Sequence, residues 1–361
     1  MNTKRIHVVH IIPTLSFGGA ERCVVDIINS SNPDKFRFSV IVFSNRTELA
    51  EQIIIPGVSV QVVKKTGQFS LWYFKRLREA LKKLSPDVVH THLFGGDVWG
   101  RVAARGLGIP IVTTEHNVNV DEGFIRDSIK RALVNFTARY VAASEAIAAD
   151  MVKRDGVSRS RLAIIRYGIT LGRFKNLPRP AFNPPWRLLL LGRLAAQKGQ
   201  SIALQALARL KDRSWQLSIV GAGNLDSELR RLANYLGIAE RVTFQPPFSD
   251  VPGLLVRHDC LLMPSRWEGL GIVIMEAMAA GRLVVAAKVG GIPELIKPGV
   301  TGYLVPPNDP ASLAKQLERC FIHPDEARQL SAAGERYATE QFSFERMAKQ
   351  YETVYEEVSK K

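Results

Sequence analysis

Apolar runs recur along the first half of the chain, with polar, helix-spaced stretches between them. Candidate strands fall at His7 to Ile12, Phe38 to Phe43, Val58 to Val63, Val88 to His90, Ile111 to Thr114 and Tyr140 to Ala143. Strands separated in this way predict a parallel α/β sheet. At Asn176 to Pro185 the pattern stops, because four prolines in ten residues disfavour both helix and central strand. It restarts at Arg187 to Leu191, Gln216 to Val220, Val242 to Phe244, Cys260 to Met263 and Leu283 to Ala287. The pattern predicts one Rossmann-like domain over 1–175, a linker over 176–185, a second such domain over 186–341 and a terminal helix over 342–361. Ligands of such sheets bind beyond the carboxyl ends of the strands, and two facing domains make a central cleft that can close on a substrate.

The most informative stretch is Ser265 to Gly281, where Glu268 and Glu276, eight residues apart, bracket a glycine-rich turn and the start of a helix. Gly269 and Gly271 let the backbone approach an anion closely, and Leu270 and Ile272 complete the turn where amides meet a helix start suited to a diphosphate. Glu276 falls about one turn inside the helix, where its carboxylate can accept from vicinal hydroxyls such as those of a ribose. Glu268, on the loop, is free to face a sugar. The alternative for the pair is two solvated glutamates on a surface helix. Upstream, the strand Leu188 to Leu191 runs into Gly192, with Arg193 and Lys198 five residues apart. A planar fork and a flexible point charge together suit a leaving diphosphate; a solvated turn is the bland alternative.

Four segments now stand in order along the chain: Gly18-Gly19-Ala20-Glu21-Arg22, the Gly192 to Gly199 loop, the Glu268 to Glu276 pair and Gly290-Gly291-Ile292-Pro293-Glu294. Their order and spacing resemble those of the retaining glycosyltransferases of family four, of the bacterial surface-polysaccharide type. The resemblance implies a GT-B fold and transfer of a sugar from a nucleoside diphosphate donor to an acceptor hydroxyl, with retention, needing neither metal nor cofactor. It also implies that the terminal helix crosses back onto the first domain. Within it, Gly18 and Gly19 let a loop approach donor phosphates or acceptor, with an ordinary strand-to-helix turn as the alternative. His116, in Thr113-Thr114-Glu115-His116-Asn117, corresponds to the histidine that contacts the donor sugar, with a satisfied structural histidine as its alternative. Arg193 and Lys198 hold the leaving diphosphate, Glu268 and His116 orient the sugar, and Glu276 holds the ribose. The acceptor implied is a carbohydrate or lipid-linked intermediate. Two departures stand out: Tyr167-Gly168-Ile169-Thr170 where relatives carry Asn-Gly-x-Asp, and Pro246 where a glycine is usual near the nucleobase pocket. A nucleotide-sugar epimerase and a non-catalytic nucleotide-sugar-binding protein are the competing functions.

Composition changes this picture little. The 361 residues suffice for two domains, and 46% hydrophobic with 23% charged residues is ordinary for a globular chain. Three scattered cysteines favour a reducing compartment over a disulfide framework. The apolar start ends at Pro13, and no transmembrane run occurs, so the expectation is a cytoplasmic enzyme, with any membrane contact peripheral and at the inner face.

Charge adds one question. Residues 1–180 hold 27 Lys and Arg against 15 Asp and Glu, while residues 181–361 hold 22 against 19. In 69–84, Leu71, Phe74, Leu77, Leu81 and Leu84 keep helical spacing opposite Lys75, Arg76, Arg78, Lys82 and Lys83. Such a helix either lies on an anionic membrane or packs its stripe on the sheet as a crossover with a solvated basic face. Residues 123–139 pose the same choice, with Phe124, Ile125, Ile129 and Leu133 against Arg126, Lys130 and Arg131. No nucleic-acid module accompanies the net charge of +15, so specific nucleic-acid binding is not expected. His90 and His92 share one side of an extended strand, but the sequence offers no third ligand beside them and no metal is expected.

Overall fold

The apolar runs become interior strands because both of their faces are covered. Six of the seven residues of Ile6–Ile12 are buried, as are all of Cys260–Met263 and Leu283–Ala287, which is the pattern of a parallel sheet flanked by helices. The computed structural model describes residues 5–16, 18–65, 71–117, 123–248 and 250–360. It divides into two units, one of Met1–Gly168 with Phe344–Lys361 and one of Ile169–Ser343.

The first unit holds β1 (Ile6–Ile12), β2 (Phe36–Val42), β3 (Ser59–Val62), β4 (Val88–His92), β5 (Ile111–Glu115), β6 (Arg139–Ala142) and β7 (Leu162–Ile164). They form one parallel sheet in the order β3-β2-β1-β4-β5-β6-β7. The second unit holds β8 (Trp186–Leu191), β9 (Trp215–Val220), β10 (Val242–Gln245), β11 (Cys260–Met263), β12 (Leu283–Ala287) and β13 (Tyr303–Val305). Their order is β10-β9-β8-β11-β12-β13, again all parallel. Each sheet therefore reverses its winding once, between β1 and β4 and between β8 and β11. Such a reversal leaves a crevice at the carboxyl ends of the strands, where open α/β sheets bind their ligands.

The terminal helix Phe344–Ser359 belongs to the first unit, and its Tyr351 and Tyr355 are fully buried there. Apolar side chains buried this deeply contribute about 1.5–3 kcal/mol each, enough to fix a helix that follows the whole second unit in sequence. The helix Leu71–Leu84 likewise spends its stripe inward. Leu77 and Leu81 join the core with Tyr73, while Lys75, Arg76, Lys82, Lys83 and Trp72 stay exposed. The crossover arrangement is thus the observed one. In the helix Gly123–Ala132, Lys130 departs from the expected solvated face: it is buried and paired with Glu115 at 2.8 Å, while Ile125 is exposed.

The proline-rich segment 176–185 is not a free linker. The chain passes from the first unit to the second at Gly168–Ile169, and the segment is laced to the second unit's own residues. Phe182 sits in the core against Trp186, the buried Arg282 guanidinium donates to the Pro178 carbonyl, Arg328 donates to the Ala181 carbonyl at 3.0 Å, and Arg179 pairs with Glu335. Prolines exclude regular elements, but their carbonyls still accept hydrogen bonds, and here arginines supply them.

Candidate active site

In the second unit the loops after β8 and β11, the two strands flanking the reversal, carry most of the charged candidates. After β8 the chain turns at Gly192 (φ 146°), runs through a short 3-10 turn at Ala196–Lys198, and turns again at Gly199 (φ 64°). A Cβ at Gly199 would lie 2.0 Å from the Pro264 carbonyl oxygen, so glycine is what lets the β8 loop sit against the β11 loop. The loops are also tied by Arg266 N–H donating to the Gln197 carbonyl at 2.8 Å and by Gln197 Nε2 donating to the Trp267 carbonyl at 3.2 Å.

This contact brings Lys198 to Glu268. Their Nζ and Oε2 are 2.6 Å apart, with Glu268 nearly buried and accepting also from Ser265 Oγ at 3.4 Å. Glu268 is therefore not the free loop carboxylate that its position in the sequence suggests. Its backbone is held in turn by the Gly290–Gly291 turn: a Cβ at Gly290 would fall 1.7 Å from the Glu268 carbonyl oxygen, and Gly291 N–H donates to the Gly269 carbonyl at 3.1 Å. Arg193 is exposed, its only described side-chain partner being Gln197 Oε1 at 3.3 Å, so its fork remains available. Gly271 adopts the left-handed conformation (φ 94°) directly before the helix Ile272–Ala279. A left-handed residue followed by a helical turn directs successive amides into one concavity, a binding geometry for anions. Leu270 is buried beneath the turn, and Glu276 stands half-buried one turn inside the helix.

In the first unit the chain after β1 enters the helix Gly19–Ser30 through exposed Gly18 and Gly19. A Cβ at Gly18 would meet the Glu21 carboxylate at 2.3 Å, the same carboxylate that accepts from Thr14 Oγ1 at 2.9 Å. At the carboxyl end of β5, His116 is half-buried, and both of its ring nitrogens are engaged: Nε2 with His92 Nδ1 at 3.0 Å and Nδ1 with the Tyr167 hydroxyl at 2.5 Å. Burial of its surroundings pushes its pKa down to about 3, so the ring is neutral near pH 7.

Two family models cover most of the chain: the model described as Glycosyltransferase Family 4 matches residues 17–173, and that described as Glycosyl transferases group 1 matches residues 175–337. The chain is 30% identical over 305 residues to the D-inositol 3-phosphate glycosyltransferase of Streptomyces scabiei, covering 74% of this chain and 67% of that one. The chain belongs to the glycosyltransferase family 4 superfamily. It is 30% identical over 307 residues to the enzyme of the same name from Streptomyces bingchenggensis, and it spans about two thirds (66%) of that relative's length. Anabaena HepE, solved in complex with UDP-glucose, superposes with a TM-score of 0.84 at 25% identity, covering 97% of this chain and 99% of that one. A glycosyltransferase from Rickettsia africae gives the same TM-score at 21% identity, covering 98% of each chain. The fold is GT-B.

Within this family 4 chain, the feature that sequence reasoning missed is the setting of the histidines. β1 and β4 pair with His10 opposite His90, and His92 lies two residues further along the same face. The register thus supplies the third histidine that the sequence did not place beside His90 and His92. Ligand atoms of His10, His90 and His92 lie within 4.8 Å of one another, and all three side chains are buried. Their nitrogens are largely spent on one another and on hydroxyls. His10 Nδ1 meets His92 Nε2 at 2.9 Å, His90 Nδ1 meets Tyr355 OH at 2.8 Å, and His90 Nε2 meets Thr114 Oγ1 at 2.7 Å. Burial lowers the pKa of each, that of His10 to about 3. His10 Nε2 has no hydrogen-bond partner, but His90 and His92 would have to give up hydrogen bonds to ligate a cation, so the trio reads as a hydrogen-bonded cluster. The only foreshadowing in the sequence was polar His10 inside an apolar strand.

Proposed function

We propose that this chain is a retaining glycosyltransferase that moves a sugar from a nucleoside diphosphate sugar to an acceptor hydroxyl, without a metal ion or other cofactor. The observation that carries this reading is the convergence of Arg193, the Lys198–Glu268 pair and the Gly271 turn at the β8–β11 reversal. A diphosphate seated there meets a positive fork, an ammonium and first-turn amides. These stabilise the charge that develops as the glycosidic bond breaks. Lys198 then exchanges part of its bond with Glu268 for phosphate, and Glu268 turns toward the sugar it is placed to orient. Glu276 accepts from the ribose hydroxyls. To His116 we assign the contact with the donor sugar, and we favour a front-face route in which the leaving phosphate takes the acceptor proton.

The ligand of HepE supports a uridine diphosphate sugar as the first donor to test. For the acceptor we keep a lipid-linked or surface-polysaccharide intermediate, approached at the inner face of the membrane. The exposed cations of the helix Leu71–Leu84, with Trp72 among them, supply the membrane contact. No described helix is long and apolar enough to cross a membrane.

The test is a binding and hydrolysis screen of wild type and Glu276→Ala against uridine, guanosine and adenosine diphosphate sugars without added metal. Selective binding with slow nucleotide release in the wild type, weakened in the variant, is expected. A folded protein that binds none of these donors would end the proposal.

A further inference from the structure

One hydrogen-bonded chain crosses the reversal of the first sheet: His10 to His92 at 2.9 Å, His92 to His116 at 3.0 Å, and His116 to the Tyr167 hydroxyl at 2.5 Å. Successive rings use opposite nitrogens, so each internal imidazole has one nitrogen toward each neighbour. His10 and His92 stack at 5.2 Å between centroids with 17° between planes, and His116 stacks on Tyr167 at 5.9 Å and 15°. His10 and His92 are wholly buried, and His116 is the most exposed of the three rings. His90 stands beside the chain but outside it, since its nitrogens are taken by Tyr355 and Thr114.

A neutral imidazole carries one N–H and one lone pair. With three neutral rings in series, only two arrangements satisfy every link. In one, each ring is protonated at Nδ1: His10 donates to His92, His92 to His116, and His116 to the tyrosine oxygen. In the other, Tyr167 donates to His116 and every ring is protonated at Nε2. The two differ at both ends. At the outer end the Tyr167 hydroxyl accepts in the first and donates in the second, and a hydroxyl can rotate its own proton toward another acceptor; the buried end has no such freedom. His10 Nε2 is buried with no hydrogen-bond partner. It is a bare lone pair in the first arrangement and an unpaired N–H in the second. Orphaned buried N–H groups are the rarer and costlier case, so the dead end selects the first arrangement throughout.

We propose that His10, His92, His116 and Tyr167 form one polarised relay, in which His10 and His92 are positioning residues that hold His116 as its Nδ1–H tautomer. This rests on the reading of His116 as a donor-sugar contact and makes that contact specific. Nε2 of His116 is committed to His92, and Nδ1–H is the group the ring offers to a sugar oxygen in exchange for the Tyr167 hydroxyl. Tyr167 occupies one of the positions where this chain departs from the family pattern, which makes the Tyr167 end of the relay a feature of this sequence.

The test uses the full chain labelled with 15N histidine. Two-bond proton–nitrogen spectra at neutral pH, without ligand, should show His10, His92 and His116 each protonated at Nδ1. Tyr167→Phe leaves the His92 bond in place and should keep the His116 tautomer. His92→Leu removes the donor to Nε2 and should release His116 into a mixture of tautomers, whereas His92→Gln, whose amide can donate to Nε2, should restore the single one. With UDP-glucose as donor, His92→Leu should lower turnover about tenfold, the worth of roughly one hydrogen bond. Affinity for UDP should stay within about twofold, because the nucleotide contacts are elsewhere, and His92→Gln should recover most of the turnover. An Nε2–H tautomer at His116 in the wild type overturns the proposal even if a variant fails to fold. So does a His116 signal unchanged in folded His92→Leu, or stoichiometric zinc uptake on these rings, which would consume the lone pairs. Failure to bind any uridine diphosphate sugar would instead remove the donor contact, while the ligand-free spectra still decide the relay.

Discussion

The two sheet reversals are alike in topology and opposite in chemistry. At the β8–β11 reversal the side chains are charged, carried on loops and packed through glycines: Lys198 against Glu268, Arg193 exposed, Gly290 under the Glu268 backbone. At the β1–β4 reversal they are neutral, buried and hydrogen-bonded mostly to one another: His10, His90, His92 and Thr114 on the strands, with Tyr351 and Tyr355 from the terminal helix, leaving His10 Nε2 without a partner. A charged site needs solvent or a ligand to complete it, while a neutral buried network completes itself. On the function proposed above, the difference would place the stabilisation of transition-state charge in the second unit and leave to the first the neutral contact of His116.

The sharpest way to break that assignment is Arg193→Ala. If developing diphosphate charge is met in the second unit, loss of this fork should lower turnover by about 10²–10³-fold. Donor binding should change far less, and steady-state kinetics with a uridine diphosphate sugar separate the two effects. Equal losses in kcat/KM from Arg193→Ala and His116→Ala, with Glu276→Ala silent, would contradict the division between the units. Glu276→Ala is expected to weaken nucleotide binding by about 1–3 kcal/mol, the range for a charged acceptor removed from its donors, as read by calorimetric titration.

The two reversals also differ in how much of them the sequence discloses. Charged loops write their function locally, since Arg193 and Lys198 lie in one loop and Glu268, Gly271 and Glu276 in one turn and helix, and glycines mark where backbones meet. Strand extents were legible for the same local reason: Cys260–Met263 and Leu283–Ala287 coincide with their apolar runs. The three-residue strands β7 and β13 are too short to show a period, and each lies at the edge of its sheet. The histidine network is written across strands instead. His10 and His90 are 80 positions apart and meet only through the register of β1 and β4, and Tyr355 arrives on a helix from the other end of the chain. The anchoring of the segment 176–185 is not legible for the same reason, since its partners Arg282, Arg328 and Glu335 are equally remote in sequence.

Packing gives a test of intermediate size. Gly290 has φ 50°, and any Cβ there strikes the Glu268 carbonyl oxygen. Gly290→Ala should therefore cost the second unit about 2–3 kcal/mol, the range for strain at a left-handed position combined with a backbone clash. It should also displace Glu268 from Lys198. Hydrogen exchange should show the loss confined to Ile169–Ser343, with the histidine spectra of the first unit unchanged.

Acid should separate the units next. In the first unit His7, His10, His90, His92 and His116 are all held below the usual histidine range by burial. In the second unit His258 is the one described histidine so shifted. A histidine whose folded pKa is depressed binds fewer protons folded than unfolded, so its contribution is intact above about pH 6.5 and declines as the pH falls toward the folded value. For His10 and His116 that window runs down to about 3. Asp26 and Asp155, pushed up to about 6 by burial, work in the opposite sense, since the folded state holds their protons more tightly between about pH 6 and 4. Five rings outnumber two carboxyls, so the first unit should lose stability on going from pH 7 to pH 5, by about 1 kcal/mol per uncompensated histidine for each pH unit below 6.5. Hydrogen exchange at the two pH values should show protection falling more in β1, β4 and β5 than in β8, β11 and β12. Equal loss in both sheets would mean that the buried rings are not what distinguishes them.

The smallest effect concerns the exposed basic face of the helix Leu71–Leu84. Because Leu77 and Leu81 already sit in the core of the first unit, an apolar face of the helix Leu71–Leu84 cannot also enter a bilayer, and any membrane contact must come through its exposed side. Trp72 is 74% exposed there, with Lys75 Nζ 5.9 Å from its ring centroid. Trp72→Ala should change stability by less than about 0.5 kcal/mol, as expected for an exposed position. It should lower co-sedimentation with phosphatidylserine vesicles by a few-fold at most, and added salt should weaken what remains because the cations carry it. Leu77→Ala, by contrast, should cost about 2–5 kcal/mol of folding stability through the cavity it leaves, while a folded fraction keeps its vesicle binding. The reverse pattern, with vesicle binding lost in Leu77→Ala and folding unaffected, would require the helix to leave the sheet when it meets lipid.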